Sequence, residues 1–252
     1  MEEERQAGDY KERPIIDIEE KRVFRTIGLK EERIKNSLSD ITKWGKAVSI
    51  ETLPNLFGVD IKVVVSSSER GVVPSLMKSI EGSIRKRFGD SLYGMENESL
   101  EEVVLYLYSL RKKTLAVAES CTGGLIGHLL TSIPGSSEYF RGGIIAYSNE
   151  AKTDILGLQE GMIRRCGAVS ADTAKEMAIS VARVLKADVG LSVTGVAGPG
   201  GGTEEKPVGL VYMGIASEGK SEVKRFFFLG ERNKIQEQSA YFALDMARRK
   251  VL

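Results

Sequence analysis

Histidine is almost absent from this sequence: its 252 residues include only His128. His128 lies eight residues after Ser120 on a predicted helix, and a rise of about 1.5 Å per residue places it roughly two turns from the start of that helix. A side chain at that point lies along the helix and away from its first turn. The sequence therefore argues against a histidine base for a serine at the helix start.

Cysteine is scarce as well, with only Cys121 and Cys166. They are far apart and form neither a CxxC pair nor a metal-ligand spacing, so the sequence predicts no disulfide framework, no metal site and a reducing compartment. The most apolar run, VVLYLYSL at 103–110, is too short to span a bilayer. We expect a cytoplasmic protein that does not insert into a membrane.

An excess of basic residues is also missing. Lysine and arginine number 36 against 35 aspartates and glutamates, for a net charge of +1. Nonspecific nucleic-acid binding depends on basic side chains that neutralise phosphates. Nucleic acid is therefore an unlikely partner.

The chain divides into three predicted segments. Residues 1–19 form a charged polar tail, residues 20–95 show strand and helix patterns in the order β-α-β-β-α, and residues 96–252 form a larger domain. Ser99 and Glu102 form a capping box that predicts the first helix of this larger domain. We therefore expect a small α/β domain followed by a second domain, with the connection at 91–102.

Strands and helices alternate along the larger domain. Strands are predicted at 114–120, 142–148, 188–195, 207–217 and 221–229, and helices at 99–112, 123–133, 149–157, 170–187 and from Glu231 onward. Mostly buried strands interleaved with helices predict a three-layer α/β sandwich with a mixed sheet.

The segment AESCTGG (118–124) ends the first of these strands and opens a helix. Ligands bind at this edge of α/β sheets, and free N–H groups at a helix start favour an anion or a developing oxyanion. Gly123 and Gly124 are poor helix formers, which indicates close approach of a substrate to the backbone. Ser120 is the preferred nucleophile over Cys121, which is expected to face the core. The alternative is that Ser120 or Thr122 only caps the helix.

A serine nucleophile needs a base, and lysine and tyrosine are the remaining candidates. Tyr147 and Lys152 lie at the next strand-to-helix junction, in YSNEAK. A desolvated Lys152 with a lowered pKa would accept the proton of Ser120, and Tyr147 would relay that proton or bind the oxyanion. Taken singly, Tyr147 also fits an ordinary tyrosine at the end of a strand, and Lys152 also fits an ordinary solvated lysine on a helix.

A third junction, SVTGVAGPGGGTEEKPVG (192–209), carries glycines at 195, 198, 200, 201 and 202 after a strand. Its main-chain N–H groups would line a concavity for phosphate or carboxylate, aided by polar side chains. The loop leads into a strand, so neither a Rossmann nor a P-loop site is predicted. A flexible turn is the alternative reading.

These motifs, with FRGGIIAYSNEAK (140–152), GAVSADTAKEMA (167–178) and LGER (229–232), resemble the CinA family, specifically its C-terminal domain. Residues 20–95 resemble the KH-type domain that precedes it in longer members. The resemblance does not extend to their molybdopterin-binding-like domain, so its pyrophosphatase activity is not expected here. The KH-like segment also lacks a GxxG loop, which is the loop that KH domains usually use to bind nucleic acid.

The resemblance implies hydrolysis of nicotinamide mononucleotide (NMN) to nicotinic acid mononucleotide and ammonia, in pyridine nucleotide salvage. It implies no metal or cofactor, a nucleotide substrate, and a homodimer or larger assembly. Ser120 matches the proposed nucleophile, and Lys152 and Tyr147 match the base and the assisting residue. The predicted substrate-binding residues are Thr122, Gly123, Gly124, Thr194, Gly195, Gly198, Gly202, Thr203, Glu204, Lys206 and Arg232.

The chain departs from the family pattern at Gln236. Deamidase members usually carry an arginine there, four residues after the arginine of the GDR-like motif, and associate it with substrate binding. Arg232 is retained, but loss of the second cation would weaken recognition of an anionic substrate. A non-catalytic nucleotide-binding or partner-binding module is therefore the alternative function, and nucleic-acid binding by the KH-like segment ranks below it.

Overall fold

The computed structural model describes residues 18–41, 47–69 and 71–252. The predicted tail, apart from its last two residues, lies outside the described residues, as do residues 42–46, where the sequence EERIKNSLSDITKWG (31–45) predicts the end of a helix at Gly45. Those last two tail residues begin the first strand. Across the described ranges, every helix is too short or too polar to traverse a lipid bilayer.

The first sheet is antiparallel, has the strand order β2-β3-β1-β4, and packs against two helices. Its elements are β1 (Ile18–Thr26), α1 (Glu31–Ser37), β2 (Val48–Asn55), β3 (Gly58–Ser67), α2 (Val72–Phe88) and β4 (Leu92–Met95). The sequence predicted all of them except β4, which lies in the segment read as a connection. Its four residues are too few to show a strand pattern, and pairing with β1 defines it.

Helix α2 forms because apolar residues recur every three or four positions along it. These residues are all buried: Val73, Met77, Ile80, Ile84 and Phe88. They meet alternate residues of β3, since successive strand side chains point to opposite faces. The residues on that face of β3 are Ile61, Val63 and Val65.

The second sheet has the strand order β6-β5-β7-β8-β9. Its strands are β5 (Leu115–Glu119), β6 (Phe140–Ile145), β7 (Val189–Gly195), β8 (Leu210–Ser217) and β9 (Lys220–Phe227). Its helices are α3 (Leu100–Arg111), α4 (Leu125–Thr131), α5 (Asn149–Asp154), α6 (Glu160–Cys166), α7 (Ala171–Val184) and α8 (Arg232–Lys250). Strands β6, β5 and β7 are parallel and the others antiparallel, which confirms a mixed sheet.

The second sheet is covered on both faces, giving the predicted three layers. Val117 of β5 packs in a cluster with α3, α4 and α8. Its neighbours Ala116 and Ala118 face the other way and pack with Met177 and Val181 of α7. The predicted capping box is also present, because Ser99 and Glu102 exchange side-chain and backbone hydrogen bonds at the start of α3.

Two details differ from the sequence prediction. Strand β6 ends at Ile145, so Tyr147 and Ser148 lie in the connection to α5 and not on the strand. Helix α6 was not predicted. It is seven residues long and buries only Ile163, so its sequence carries no apolar periodicity to signal it.

The two sheets are joined by contacts with α8. Arg248 is 3% exposed, donates to the backbone carbonyl of Asp90, and pairs with Asp245 at 2.7 Å. Phe57, in the turn between β2 and β3, stacks on Tyr241 with ring centroids 3.9 Å apart. The last helix therefore connects the first sheet to the second.

Candidate active site

Ser120 directly follows strand β5 and still takes part in the sheet. Its backbone N–H donates to the Val193 carbonyl at 3.0 Å, while its own carbonyl accepts from the Gly123 N–H at 3.2 Å and turns the chain. The side chain is held at the carboxyl edge of the three parallel strands, where α/β sheets bind ligands. Ser120 is 8% exposed.

The amine of Lys152 lies against Ser120. Nζ is 3.1 Å from Ser120 Oγ, and it donates to the carbonyls of Ala146 at 2.7 Å, Tyr147 at 3.3 Å and Ser148 at 3.4 Å. The residue is only 1% exposed. Within the described ranges it forms no ion pair, so the amine is buried among neutral oxygens.

Burial lowers the pKa of Lys152 below its usual 10.5, because the charged ammonium loses solvation. Smaller opposing effects come from Cys121 and Glu150, whose negative forms favour the ammonium. The net lowering of the Lys152 pKa increases the fraction of neutral amine, which is the form able to take a proton from Ser120.

Cys121 lines the same cavity, but its environment disfavours the reactive thiolate. Burial raises the pKa of this thiol to about 12. The thiolate is the nucleophilic form of cysteine, so a buried thiol at such a pKa is inert at neutral pH. The electrostatics of the site therefore favour Ser120 over Cys121 as the nucleophile.

The start of helix α4 is occupied by a carboxylate from the chain itself. Glu119 is 1% exposed and accepts backbone N–H bonds from Gly124 at 3.0 Å, Ile126 at 3.1 Å and Gly127 at 2.8 Å. The sequence analysis assigned these N–H groups to a substrate anion or an oxyanion. They are already paired, so this helix start does not supply that site.

Two glycines have a structural role in the same turn. Gly123 and Gly124 have φ of 64° and 102°, a region that favours glycine, and a Cβ on Gly124 would meet Ile145 at 3.0 Å. The chain thereby folds back over the Glu119 carboxylate. Close approach of a substrate is not needed to explain either glycine.

Tyr147 and Arg232 meet at the mouth of the site. Arg232 Nη2 donates to the Tyr147 hydroxyl at 3.0 Å, and its Nη1 donates to the Gly198 carbonyl at 2.6 Å. Tyr147 is 59% exposed. Among the described residues its hydroxyl forms no hydrogen bond with Ser120 or Lys152, whereas its backbone carbonyl contacts the Lys152 amine.

These groups surround a cavity of about 280 Å³. It is lined by Ser120, Cys121, Tyr147, Lys152, Ala168, Val169, Thr194, Gly195, Val196, Ala197, Gly198, Gly200, Gly201 and Arg232. The three junctions that follow β5, β6 and β7 thus meet at this cavity, together with residues 168–169 and the start of α8. A larger cavity of about 760 Å³ lies between β4, α3 and the end of α8, but it includes neither Ser120 nor Lys152.

The predicted substrate-binding residues fall into two groups. Thr194, Gly195, Gly198 and Arg232 line the cavity. The residues outside its lining are Thr122, Gly123, Gly124, Gly202, Thr203, Glu204 and Lys206.

Several of these side chains already have partners within the protein. The Thr194 hydroxyl donates to the Ala168 carbonyl at 2.8 Å, and Lys206 Nζ donates to the Cys166 carbonyl at 3.1 Å. Thr122 Oγ1 is instead buried with no partner among the described residues.

Gln236 contacts residues 120–124, the turn that carries the candidate nucleophile Ser120 and is named the nucleophile turn. Its side-chain amide donates to the Cys121 carbonyl at 2.7 Å. It lies one helical turn after Arg232, so α8 contacts both the serine turn and the glycine-rich loop. The sequence analysis treated Gln236 only as a missing cation and overlooked this contact.

The sequence analysis also missed Glu119, Ala168 and Val169. Glu119 had a usable signal, because a single acidic residue ends the buried run LAVAE just before a helix start, where a carboxylate is stabilised. Ala168 and Val169 carry no chemical signal, and only tertiary packing brings them to the cavity.

Comparison with known proteins identifies the family. The sequence-family model of the CinA C-terminal domain matches residues 97–251. The family model of the damage-inducible protein CinA KH domain matches residues 21–94. This chain belongs to the CinA family. The family assignment made from the motifs is therefore confirmed.

Curated relatives carry names of the same family. A competence-damage inducible protein from Caldicellulosiruptor bescii is 42% identical over 231 residues, which are 92% of this chain and 56% of that protein. A CinA-like protein from Kosmotoga olearia is 40% identical over 231 residues, with the same two shares. The chain thus spans a little over half the length of these relatives.

Solved structures of family members match about three-fifths of this chain. The crystal structure of competence/damage inducible protein CihA from Agrobacterium tumefaciens has a TM-score of 0.57 and 37% identity, covering 58% of this chain and 90% of that one. A competence or damage-inducible protein from Enterobacter asburiae has a TM-score of 0.58 and 29% identity, covering 62% and 100%. The three-layer fold is therefore shared within the family.

Proposed function

We propose that this chain is a serine amidohydrolase that converts NMN and water to nicotinic acid mononucleotide and ammonia. One observation carries the proposal: Lys152 Nζ lies 3.1 Å from Ser120 Oγ, at 1% exposure and without a carboxylate partner among the described residues. This is the arrangement of a nucleophile and a neutral base.

The hydrogen-bond partners of Lys152 suit an amine that gains and loses a proton. A neutral amine has two N–H groups, which the carbonyls of Ala146 and Tyr147 accept, and a lone pair that accepts the Ser120 O–H. After proton transfer the third N–H has the Ser148 carbonyl within 3.4 Å. The ammonium formed during the reaction therefore has an acceptor for every proton.

The reaction follows from these positions. Ser120 Oγ attacks the amide carbon of NMN while Lys152 takes the hydroxyl proton. The tetrahedral intermediate breaks its C–N bond as Lys152 returns the proton to nitrogen, releasing ammonia and leaving an acyl-Ser120 ester. Water then attacks the ester, Lys152 takes one proton of that water, and the proton returns to Ser120 Oγ as nicotinic acid mononucleotide leaves.

The negative oxygen of the intermediate needs donors other than the N–H groups at the start of α4, because Glu119 occupies those. Tyr147 is suited to this role. Its hydroxyl oxygen accepts a bond from Arg232, which leaves its own proton free to donate into the cavity. The main-chain N–H groups of the glycine-rich loop are the other available donors.

Recognition of a mononucleotide fits the rest of the cavity. Arg232 and the loop at 195–201 offer a cation and closely spaced main-chain groups for a phosphate. The volume of about 280 Å³ lies at the small end of ligand pockets, which favours one nucleotide over a dinucleotide.

The direct test is product formation. The purified chain, incubated with NMN, is expected to release ammonia and nicotinic acid mononucleotide in equal amounts, measured enzymatically and by chromatography. Ser120→Ala should reduce kcat by about 10³-fold or more, since it removes the nucleophile. Ser132→Ala is the matched control, because this exposed serine bonds only within its own helix. Absence of product between pH 6 and 9 would contradict the proposal.

A non-catalytic nucleotide-binding module is the second candidate, favoured by Gln236 at a position where the family pattern has arginine. Titration calorimetry separates the two. Heat of NMN binding without ammonia release would support the binding module, and turnover would exclude it.

Three broader properties are proposed on sequence grounds: a division of the chain near residue 95, a cytoplasmic location and a homodimer. Light scattering across a dilution series tests the last of these, and a mass of one chain at all concentrations would contradict it. Cell fractionation tests the location.

A further inference from the structure

Glu119 connects the two halves of the proposed catalytic pair. Its carboxylate accepts three N–H bonds from the end of the turn that carries Ser120 and the first turn of α4, at Gly124, Ile126 and Gly127. Its backbone carbonyl accepts the Ala146 N–H at 2.8 Å. One residue therefore contacts both the nucleophile turn and the segment that holds the amine.

The second of these contacts leads directly to Lys152. The Ala146 carbonyl is the nearest acceptor of Lys152 Nζ, at 2.7 Å. A shift of residue 146 would move this acceptor, and a shift of the turn would move Ser120 Oγ. The distance between oxygen and amine therefore depends on Glu119 from both sides.

We propose that Glu119 is a positioning residue that holds Ser120 Oγ within proton-transfer distance of Lys152 Nζ by bonding the nucleophile turn through its carboxylate. This inference rests on the proposed function. The simpler role, a cap that only stabilises α4, predicts a less stable protein whose folded molecules keep full activity. The two roles therefore give different kinetics.

Glu119→Gln is a sharp perturbation because it keeps the size and shape of the side chain. In the native turn, Oε2 accepts from Gly124 and Ile126 while Oε1 accepts from Gly127. An amide replaces one of these oxygens by an NH₂ group, which faces an N–H group and cannot accept from it. At least one contact is lost and the turn must move.

The expected result is a fall in kcat of about 10- to 100-fold with KM unchanged within about twofold, since misplacement of about 1 Å has effects of this size. Activity is measured well below the unfolding temperature, so every molecule is folded. Asp188→Asn is the matched control. Asp188 accepts two bonds from Thr114 at the opposite end of β5 and β7, both at Oδ2; asparagine keeps that acceptor and loses only the charge, so kcat should be retained.

A second measurement does not depend on turnover. Cys121 lies in the same turn and is 6% exposed. In a Cys166→Ser background it is the only thiol, and its rate of reaction with a thiol reagent reports opening of the turn. Glu119→Gln should react at least about tenfold faster than the background protein, whereas Asp188→Asn should not.

The outcomes are distinct. Wild-type protein without amidase activity would remove the proposed function, and faster Cys121 labelling in Glu119→Gln would still support the effect on the turn. Equal labelling, unchanged kcat in Glu119→Gln, or the same kcat loss in Asp188→Asn would each overturn the inference. Should Glu119→Gln not fold, it is combined with Gly161→Ala in α6, far from this carboxylate, where an added Cβ meets no described atom within 4 Å and favours the helix.

Discussion

Replacing Lys152 by methionine tests whether the buried amine is neutral in the folded protein. Methionine has nearly the same length but no proton to gain. The variant leaves the Ala146 carbonyl without its 2.7 Å donor, at a cost of about 1–3 kcal/mol that does not depend on pH. The pH dependence of stability, and not its absolute value, therefore reports the state of the amine.

The direction of this pH dependence follows from whether the folded or the unfolded chain binds the extra proton. The pKa of Lys152 in the folded chain lies below 10.5, mainly because of burial, while in the unfolded chain it has the usual value. Between these two pKa values the unfolded chain binds the extra proton. Falling pH therefore favours unfolding, and rising pH stabilises the wild type relative to Lys152→Met by about 1.4 kcal/mol per pH unit. Above 10.5 the difference becomes constant.

The assay is urea unfolding of both proteins in steps from pH 7.5 to 9.5, followed by circular dichroism. We expect the difference in the free energy of unfolding to rise through the part of this range that lies above the native pKa. A constant difference would mean that the three carbonyls hold a permanent ammonium. Such an ammonium has no lone pair to accept the Ser120 proton, and the proposed mechanism would be wrong.

The remaining predictions concern α8. Gln236→Arg keeps a donor for the Cys121 carbonyl and adds a cation, so KM for NMN should fall about tenfold with kcat unchanged. Steady-state kinetics measure both constants. An unchanged or higher KM would contradict this prediction. Arg248→Met should lower the free energy of unfolding by about 3–5 kcal/mol, because it removes one partner of a buried ion pair and the contact with Asp90. Thermal unfolding measures the loss, with Arg249→Met, whose side chain is 32% exposed, as the milder control. Equal losses in the two variants would refute the importance of the buried contacts that Arg248 makes with Asp245 and Asp90.

Elements with strong apolar patterns were predictable from the sequence. Helix α2 and strand β5 follow from the spacing of their buried residues, and the start of α3 follows from Ser99 and Glu102. Strand β4 was missed because its pairing with β1 defines it, and helix α6 was missed because it is short and buries only Ile163. Local sequence cannot record a partner strand that lies 66 to 71 residues away.

The meeting of Ser120 with Lys152 was predictable for a related reason. Both residues follow parallel strands, and the carboxyl ends of parallel strands share one edge of a sheet. The sequence did not reveal that Tyr147 would reach Arg232, since that contact depends on where α8 begins. Its role in catalysis stays a prediction.

Glu119 changes how the glycines of the nucleophile turn are interpreted. Glycines before a helix were read as space for a substrate, yet their left-handed backbone lets the chain close over a carboxylate from the preceding strand. The same three N–H groups cannot serve both that carboxylate and an oxyanion. In the proposed mechanism, stabilisation of the transition state is therefore assigned to the opposite wall, where Arg232 bonds both Tyr147 and Gly198.

The proposed mechanism therefore gives α8 a part in catalysis. Its first turn places Arg232 on the glycine-rich loop, and its second turn places Gln236 on the nucleophile turn. Its last turn places Arg248 on the first sheet. One helix thus contacts both walls of the cavity as well as the first sheet, and we expect it to hold the proposed oxyanion donors at a fixed distance from Ser120.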